Sequence, residues 1–257
     1  MIKFFRKIRQ NLLSEGKTEK YFKYAIGEII LVVIGILLAL NINNWNENRK
    51  ANFKQLKYLN LLKKEALSNI TSLDIELGRI KKLTEGQKEV FRLIDESKDT
   101  LSEAYVSQVF FNTFTNLIGF NYKNSVLTEI KNSGELKNIE HDSLRMTLIA
   151  LEPLIEKVKF QENSINTLQN KIIERISLNG DLRIILESVG FNNQLGIDKA
   201  KAISKGNKPV LNDDYFKNNM IEYLSVTFNL TDLLYPRVRS QFIDIVNKID
   251  KEIDDKK

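Results

Sequence analysis

The residues able to do chemistry are few and scattered. The only histidine, His141, stands between Glu140 and Asp142. A histidine beside a carboxylate could serve as the base of a triad, but no G-x-S-x-G or other nucleophile context accompanies it. At the start of a helical pattern its ordinary reading is an exposed polar residue near a cap. Two pairs of adjacent acids, Asp213 with Asp214 and Asp254 with Asp255, could be imagined as metal ligands. Neighbouring acids on a helix point in different directions, so solvated charge is the better reading. Glu152 and Glu156 share a helical face but lack the Glu-x-x-His partners of di-iron bundles. There is no Cys, which excludes disulfides, zinc–thiolate sites, iron–sulfur clusters and thiol catalysis. HExxH, P-loop, Rossmann and EF-hand patterns are absent. The sequence offers no catalytic residue, no metal ligand and no cofactor site, and the expectation is that the protein is not an enzyme.

The elements that carry these residues are more informative. Ile29 to Leu40 reads IILVVIGILLAL, with no polar side chain. Its ten Ile, Leu and Val residues contribute about −3 to −6 kcal/mol on the membrane-insertion scale. Twelve residues are too few to cross a bilayer, but the helix extends. From Tyr24 to Trp45 it would span about 31 Å, close to the thickness of the hydrocarbon core. Tyr24 at one end and Trp45 at the other match the two aromatic belts. Glu28 falls near one end of the span, where an interfacial acid paired loosely with Lys20 or Lys23 is the plain reading. A cleaved leader fits poorly: with Ala39 at −1, position −3 is Leu37, and with Ala39 at −3, position −1 is Asn41. Gly35 and Ala39 form a small-xxx-small pair that could pack helices in the bilayer. The predicted organisation is a basic arm over residues 1–23, a transmembrane helix over 24–45 and an extracytoplasmic domain over 46–257.

Charge sets the expected orientation and removes one class of partner. The net charge is +6, yet residues 1–24 carry seven Lys or Arg and two Glu, so the remainder holds 32 basic and 31 acidic residues. A nucleic-acid-binding domain should carry a basic face of its own, so no nucleic-acid partner is expected. The positive bias predicts a single-pass inner-membrane protein, with its N-terminus in the cytoplasm and its C-terminal domain in the periplasm. Ile2, Phe5, Ile8 and Leu12 form a stripe that could lie on anionic headgroups.

Beyond the span the apolar residues keep helical spacing. Leu56, Leu59, Leu62, Ala66, Ile70, Leu73, Leu77 and Ile80 resemble a coiled-coil seam, and the helix is expected to continue from the span as a rod. Phe110, Phe114 and Leu117 share a face and are read as core. Asn132 to Gly134 suits a helix end with Gly in the left-handed region. A second long helix over 142–178 has the stripe Leu144, Leu148, Leu151, Ile155, Val158, Ile165, Leu168, Ile172 and Ile176, and Pro153 should kink it. Residues 189–212 read as a long surface loop with one short helix. Asn212 or Asp213 caps the next helix, Pro236 breaks it, and a final helix runs to about Asp254. Strand signals are poor. The fold class is all-α: one N-terminal transmembrane helix continuing into a long antiparallel helical bundle.

The stretch KYFKYAIGEIILVVIGILLALNINNWNENR, with MIKFFRKIRQNLLSEGK before it, resembles the N-terminal hallmark of an uncharacterised Bacteroidota family of small single-pass membrane proteins. FNYKNSVLTEIKNSGELKNI resembles that family's middle segment, with a turn at Ser133-Gly134 between two helices. The resemblance implies a membrane-anchored helical protein of a Gram-negative cell envelope, and it brings no activity or substrate. The leading expectation is a non-enzymatic interaction or structural module whose partners are the lipid bilayer and a second copy or another membrane protein. The alternative is an extracytoplasmic ligand-binding sensor acting through a partner.

Overall fold

A computed structural model describes residues 18–96, 100–199 and 205–255. The basic arm and its amphipathic stripe therefore lie outside the described residues, apart from the first turns of the helix that follows. The elements in order are α1 (Thr18–Asp95), α2 (Glu103–Phe114), α3 (Ser125–Asn132), a 3-10 turn (Glu135–Asn138), α4 (Asp142–Asn179), α5 (Leu182–Ser188) and α6 (Phe191–Gln194). A second 3-10 turn (Lys208–Asn212), α7 (Asp214–Phe228), a π-helical segment (Asn229–Leu234) and α8 (Tyr235–Asp254) complete the chain. No strand occurs among the described residues. The chain divides into two compact units, one ending at Lys57 and the other beginning at Tyr58.

In the first unit α1 stands alone. It contains no proline, and Glu19 meets Lys23 at 2.8 Å one turn on, a favourable pairing at a helix start. The apolar run lies on every face of the helix, and none of its most apolar 18-residue window is buried. Ile29 is 63% exposed and Leu31 is 61% exposed.

In the second unit α1 becomes one rod of a bundle. Its buried positions are Leu59, Leu62, Ala66, Asn69, Leu73, Glu76, Ile80, Leu83, Gln87, Val90 and Leu93. As far as Val90 the steps alternate between three and four residues, the period of a coiled-coil seam. The buried line departs from the expected stripe at three places: Gln55, Asn69 and Glu76 are buried, while Leu56, Ile70 and Leu77 are partly buried.

Long-range pairs fix the directions of the rods. Asp74 pairs with Arg239 and Lys63 with Asp250, so α8 runs antiparallel to α1. Arg175 pairs with Asp213, and Gln161 donates to the Val226 carbonyl, so α7 runs antiparallel to α4. The chain goes up along α1, down through α2 and α3, up along α4 and down through α7 and α8. This is an antiparallel four-rod bundle whose second rod is interrupted between Phe114 and Ser125. All nine expected apolar positions of α4 are buried. Phe110, Phe114, Phe216 and Tyr223 form one aromatic cluster with centroids 5.5–6.3 Å apart. Phe120, Tyr122 and Phe242 form a second at 6.1–6.3 Å. Burying rings of this size contributes about 1.5–3 kcal/mol each. Leu117 does not join them. Helix α2 stops at Phe114, and Leu117 is 65% exposed.

One breaker acts differently from expectation. Pro236 does not separate two helices. Its ring would crowd the carbonyl four residues back, and it has no N–H to donate. The preceding segment widens into a π-helix, with the Tyr235 N–H reaching the Leu230 carbonyl, and the helix continues into α8. Helix α4 runs through Pro153 without interruption. The span 189–212 is not surface throughout, because Asn207, Val210 and Leu211 are fully buried. Asn207 bridges Asp181 and Ser107 at 2.8–3.1 Å, and Glu103 accepts its backbone N–H. Gly180 is required beside this turn. A Cβ there would lie 2.9 Å from the Ile176 carbonyl oxygen and 3.0 Å from Val210. Gly180→Ala is expected to lower stability by about 1–3 kcal/mol, read as a shifted urea midpoint with unchanged slope. Gly134 at φ 71° ends α3 in the left-handed region, as its sequence context requires.

Candidate functional site

The residues expected to matter for the membrane all lie on α1 in the first unit. Tyr24 and Trp45 are 55% and 62% exposed, and Arg49 stacks over the Trp45 ring at 5.7 Å, a cation–π pair one turn on. Glu28 is half-buried and immediately precedes the apolar run. Gly35 has open space around its Cα, and Ala39 lies one turn further along the helix. None of these five residues belongs to the folded bundle.

The polar candidates resolve into structural roles. His141 approaches Asp255 at 3.2 Å. Asp213 caps α7 by accepting the Phe216 N–H and also receives Arg175 and Asn179. The Arg175 guanidinium holds its carboxyl below the usual carboxylate range. Asp214 pairs with Lys217 at 3.2 Å. Glu152 pairs with Lys131, and Glu156 lines a shallow surface groove with Phe160. No group of three or more His, Asp or Glu residues that could hold a metal ion occurs among the described residues.

The most constrained feature is the interruption of the second rod. Between α2 and α3 the backbone leaves the helix, so its N–H and C=O groups need other partners. Side chains of two helices supply them. From α4, Gln169 donates to the Phe114 carbonyl at 2.7 Å. Asn166 accepts the Ile118 N–H at 3.1 Å and donates to the Ile118 carbonyl at 2.9 Å. Glu162 accepts the Phe120 N–H at 2.8 Å. From α1, Glu76 accepts the Gly119 N–H at 3.0 Å. Asn69 accepts the Lys123 N–H at 2.8 Å and donates to its carbonyl at 2.7 Å. Glu65 accepts the Val126 and Leu127 N–H groups at 2.8 and 3.1 Å. That last contact caps α3 from another helix, since Asn124 makes no side-chain cap. A strap of non-helical chain is thus held by carboxylates and carboxamides along its length.

At the centre of the strap two carboxylates flank consecutive residues. Glu76 and Glu162 are 4% and 6% exposed, and Glu162 also accepts the Tyr235 hydroxyl at 2.7 Å. Burial pushes the Glu162 carboxyl above its ordinary range; the Phe120 N–H and the Tyr235 hydroxyl pull it back in part, and the Glu76 charge raises it further. Burial and the Glu162 charge push the Tyr235 phenol far up. Above this point Gln87 donates to Thr227 at 2.9 Å, and Tyr223 donates to Gln169 at 3.4 Å. These groups bond one another across the rods, and the buried Oε1 of Gln87 has no hydrogen-bond partner among the described residues.

Sequence reasoning missed the grips. One signal was present: the α4 stripe jumps from Val158 to Ile165, and Glu162 fills that missing position. A polar residue in register with an apolar seam is a buried polar residue awaiting a partner.

Comparison with known proteins gives one match. The model of a family described as "Family of unknown function (DUF6090)" matches residues 28–197. That range opens at Glu28, at the head of the apolar run, and contains the whole strap with its six grips. Among curated proteins and among solved structures nothing matches.

Proposed function

The chain belongs to the DUF6090 family of unknown function, and we propose that it is a non-enzymatic interaction or structural module anchored in a membrane by α1. The observation that carries this reading is the apolar window of α1, which is long enough to cross a bilayer and none of which is buried among the described residues. Exposing that much apolar surface to water would be costly, and lipid relieves it. A buried core helix would show the opposite burial. The basic residues before the span orient the N-terminus to the cytoplasm and residues after Trp45 to the periplasm of a Gram-negative inner membrane. The bundle supports an interaction role over a sensor. A sensor of the kind that binds at its core needs polar groups converging there, whereas Glu76, Glu162 and Gln169 at the middle of the bundle each bond the strap. The proposed partners are the bilayer and a second copy or another membrane protein packed along Gly35 and Ala39, with no role in binding nucleic acid.

The test is extraction and topology together. Membranes washed with alkaline carbonate should retain the full chain, and a periplasm-active reporter fused after Lys257 should be active. Release of the intact chain into the wash overturns the anchor; an inactive reporter with a retained chain overturns the orientation alone.

A further inference from the structure

We infer that the cleft where α2 gives way to the strap is a binding site for a small organic anion, a molecule bearing a carboxylate or phosphate beside hydroxyl groups. The cleft exists because the second rod stops being helical at Thr115, and the missing turn leaves a hollow against α1. Its volume is about 190 Å³, room for roughly six waters at about 30 Å³ each. That space suits one monosaccharide-sized ligand.

The lining is chemically one-sided. Arg79 and Lys82 enter from α1, Asn112 from α2 and Asn116 from the strap, with no acidic side chain among the lining residues. The floor is apolar, because Leu83 and Ile118 are buried. Lys82, Asn112 and Asn116 make no side-chain hydrogen bond or ion pair among the described residues. Arg79 meets only Glu76, at 3.5 Å. That is well beyond the 2.7–2.9 Å of a strong charge-assisted bond, so the guanidinium fork keeps most of its donors for a ligand. Glu76 is itself fixed by the Gly119 N–H and offsets part of the Arg79 charge, and Lys82 leaves the cleft net positive. Two cations, two carboxamides and an apolar floor in one concavity match an anionic group, neighbouring hydroxyls and a sugar-like face. The site does not depend on the membrane reading, since every residue in it belongs to the bundle.

The test is calorimetric titration of the full chain in detergent micelles with sodium glucuronate, glucose 1-phosphate and, as a neutral control, glucose. Saturable heat is expected from at least one anion in or below the millimolar range and none from glucose. The anion that binds tighter identifies the headgroup. Arg79→Gln and Lys82→Gln should each weaken binding about tenfold or more. Both side chains are exposed, so the fold should survive, as far-ultraviolet circular dichroism will report. Leu117→Trp, at the exposed rim, keeps both charges and should block the cleft by volume. Absence of saturable heat from both anions through the millimolar range overturns the inference, as does wild-type affinity in the charge variants and in Leu117→Trp.

Discussion

Glu162→Ala should cost the bundle a large part of its stability, whereas Glu162→Gln should leave it nearly intact. The alanine removes one acceptor and orphans two buried donors, the Phe120 N–H and the Tyr235 hydroxyl. Each unsatisfied buried group costs about 1–3 kcal/mol, so the expected loss is about 2–6 kcal/mol. That is a large share of a typical domain's total stability. Glutamine keeps an oxygen at the same place and removes a charge that burial disfavours, so it should fall within about 1 kcal/mol of wild type. Urea denaturation read by circular dichroism separates the cases. Equal loss in both variants would mean that the carboxylate charge, not its acceptor geometry, holds the strap.

The same comparison fixes a pH dependence. The Glu162 carboxyl is raised in the folded chain, so the folded state holds that proton more tightly than the unfolded state. The contribution is present below the ordinary glutamate range and is lost as pH rises through the folded value. The stability of wild type relative to Glu162→Gln should therefore fall as pH rises from the ordinary glutamate range, about pH 4, upward. Asp213 has the opposite sign. Its carboxyl is lowered by Arg175, so its contribution is lost as pH falls below the ordinary aspartate range, and Asp213→Asn should flatten that acid limb. A rise with pH in the Glu162 comparison would show that Tyr235 and Phe120 outweigh burial.

Much of this architecture is legible in the residues. The seam of α1, the stripe of α4, the left-handed Gly134 and the Asp213 cap follow from local rules of period and capping, which act within a few residues. The strap does not follow from such rules. Thr115 to Asn124 carries no turn signature strong enough to end a helix, and its partners lie about 40 to 60 residues away in sequence. Only the fold brings Asn69 to Lys123 or Glu162 to Phe120. The same reason misplaces Leu117: a helical face extended past Phe114 predicts burial, but the helix ends first. The fate of Pro236 also depends on distant packing. Its neighbours Leu230, Tyr235 and Val238 are fully buried, so widening the helix by one residue per turn costs less than tearing those side chains from the core.

Two arginines in the apolar run should expel α1 from the membrane. Ile34→Arg with Leu37→Arg adds about +5 to +7 kcal/mol near the bilayer centre, against about −2 to −5 kcal/mol from the eight Ile, Leu and Val residues that remain. The sum changes sign, so the doubly substituted chain should move from the carbonate-resistant pellet to the soluble fraction. A single arginine should give a mixture. Ile75→Arg, on the exposed face of α1 within the bundle, adds the same charge and should leave partitioning unchanged. Because none of the apolar window is buried among the described residues, the expelled variant should keep a protease-resistant core from about Tyr58 onward, with an unaltered urea midpoint. The competing account, in which this helix is part of a soluble core, makes the reverse forecast. There the arginines would leave partitioning alone and collapse the midpoint, because each would place an unpaired charge among packed side chains.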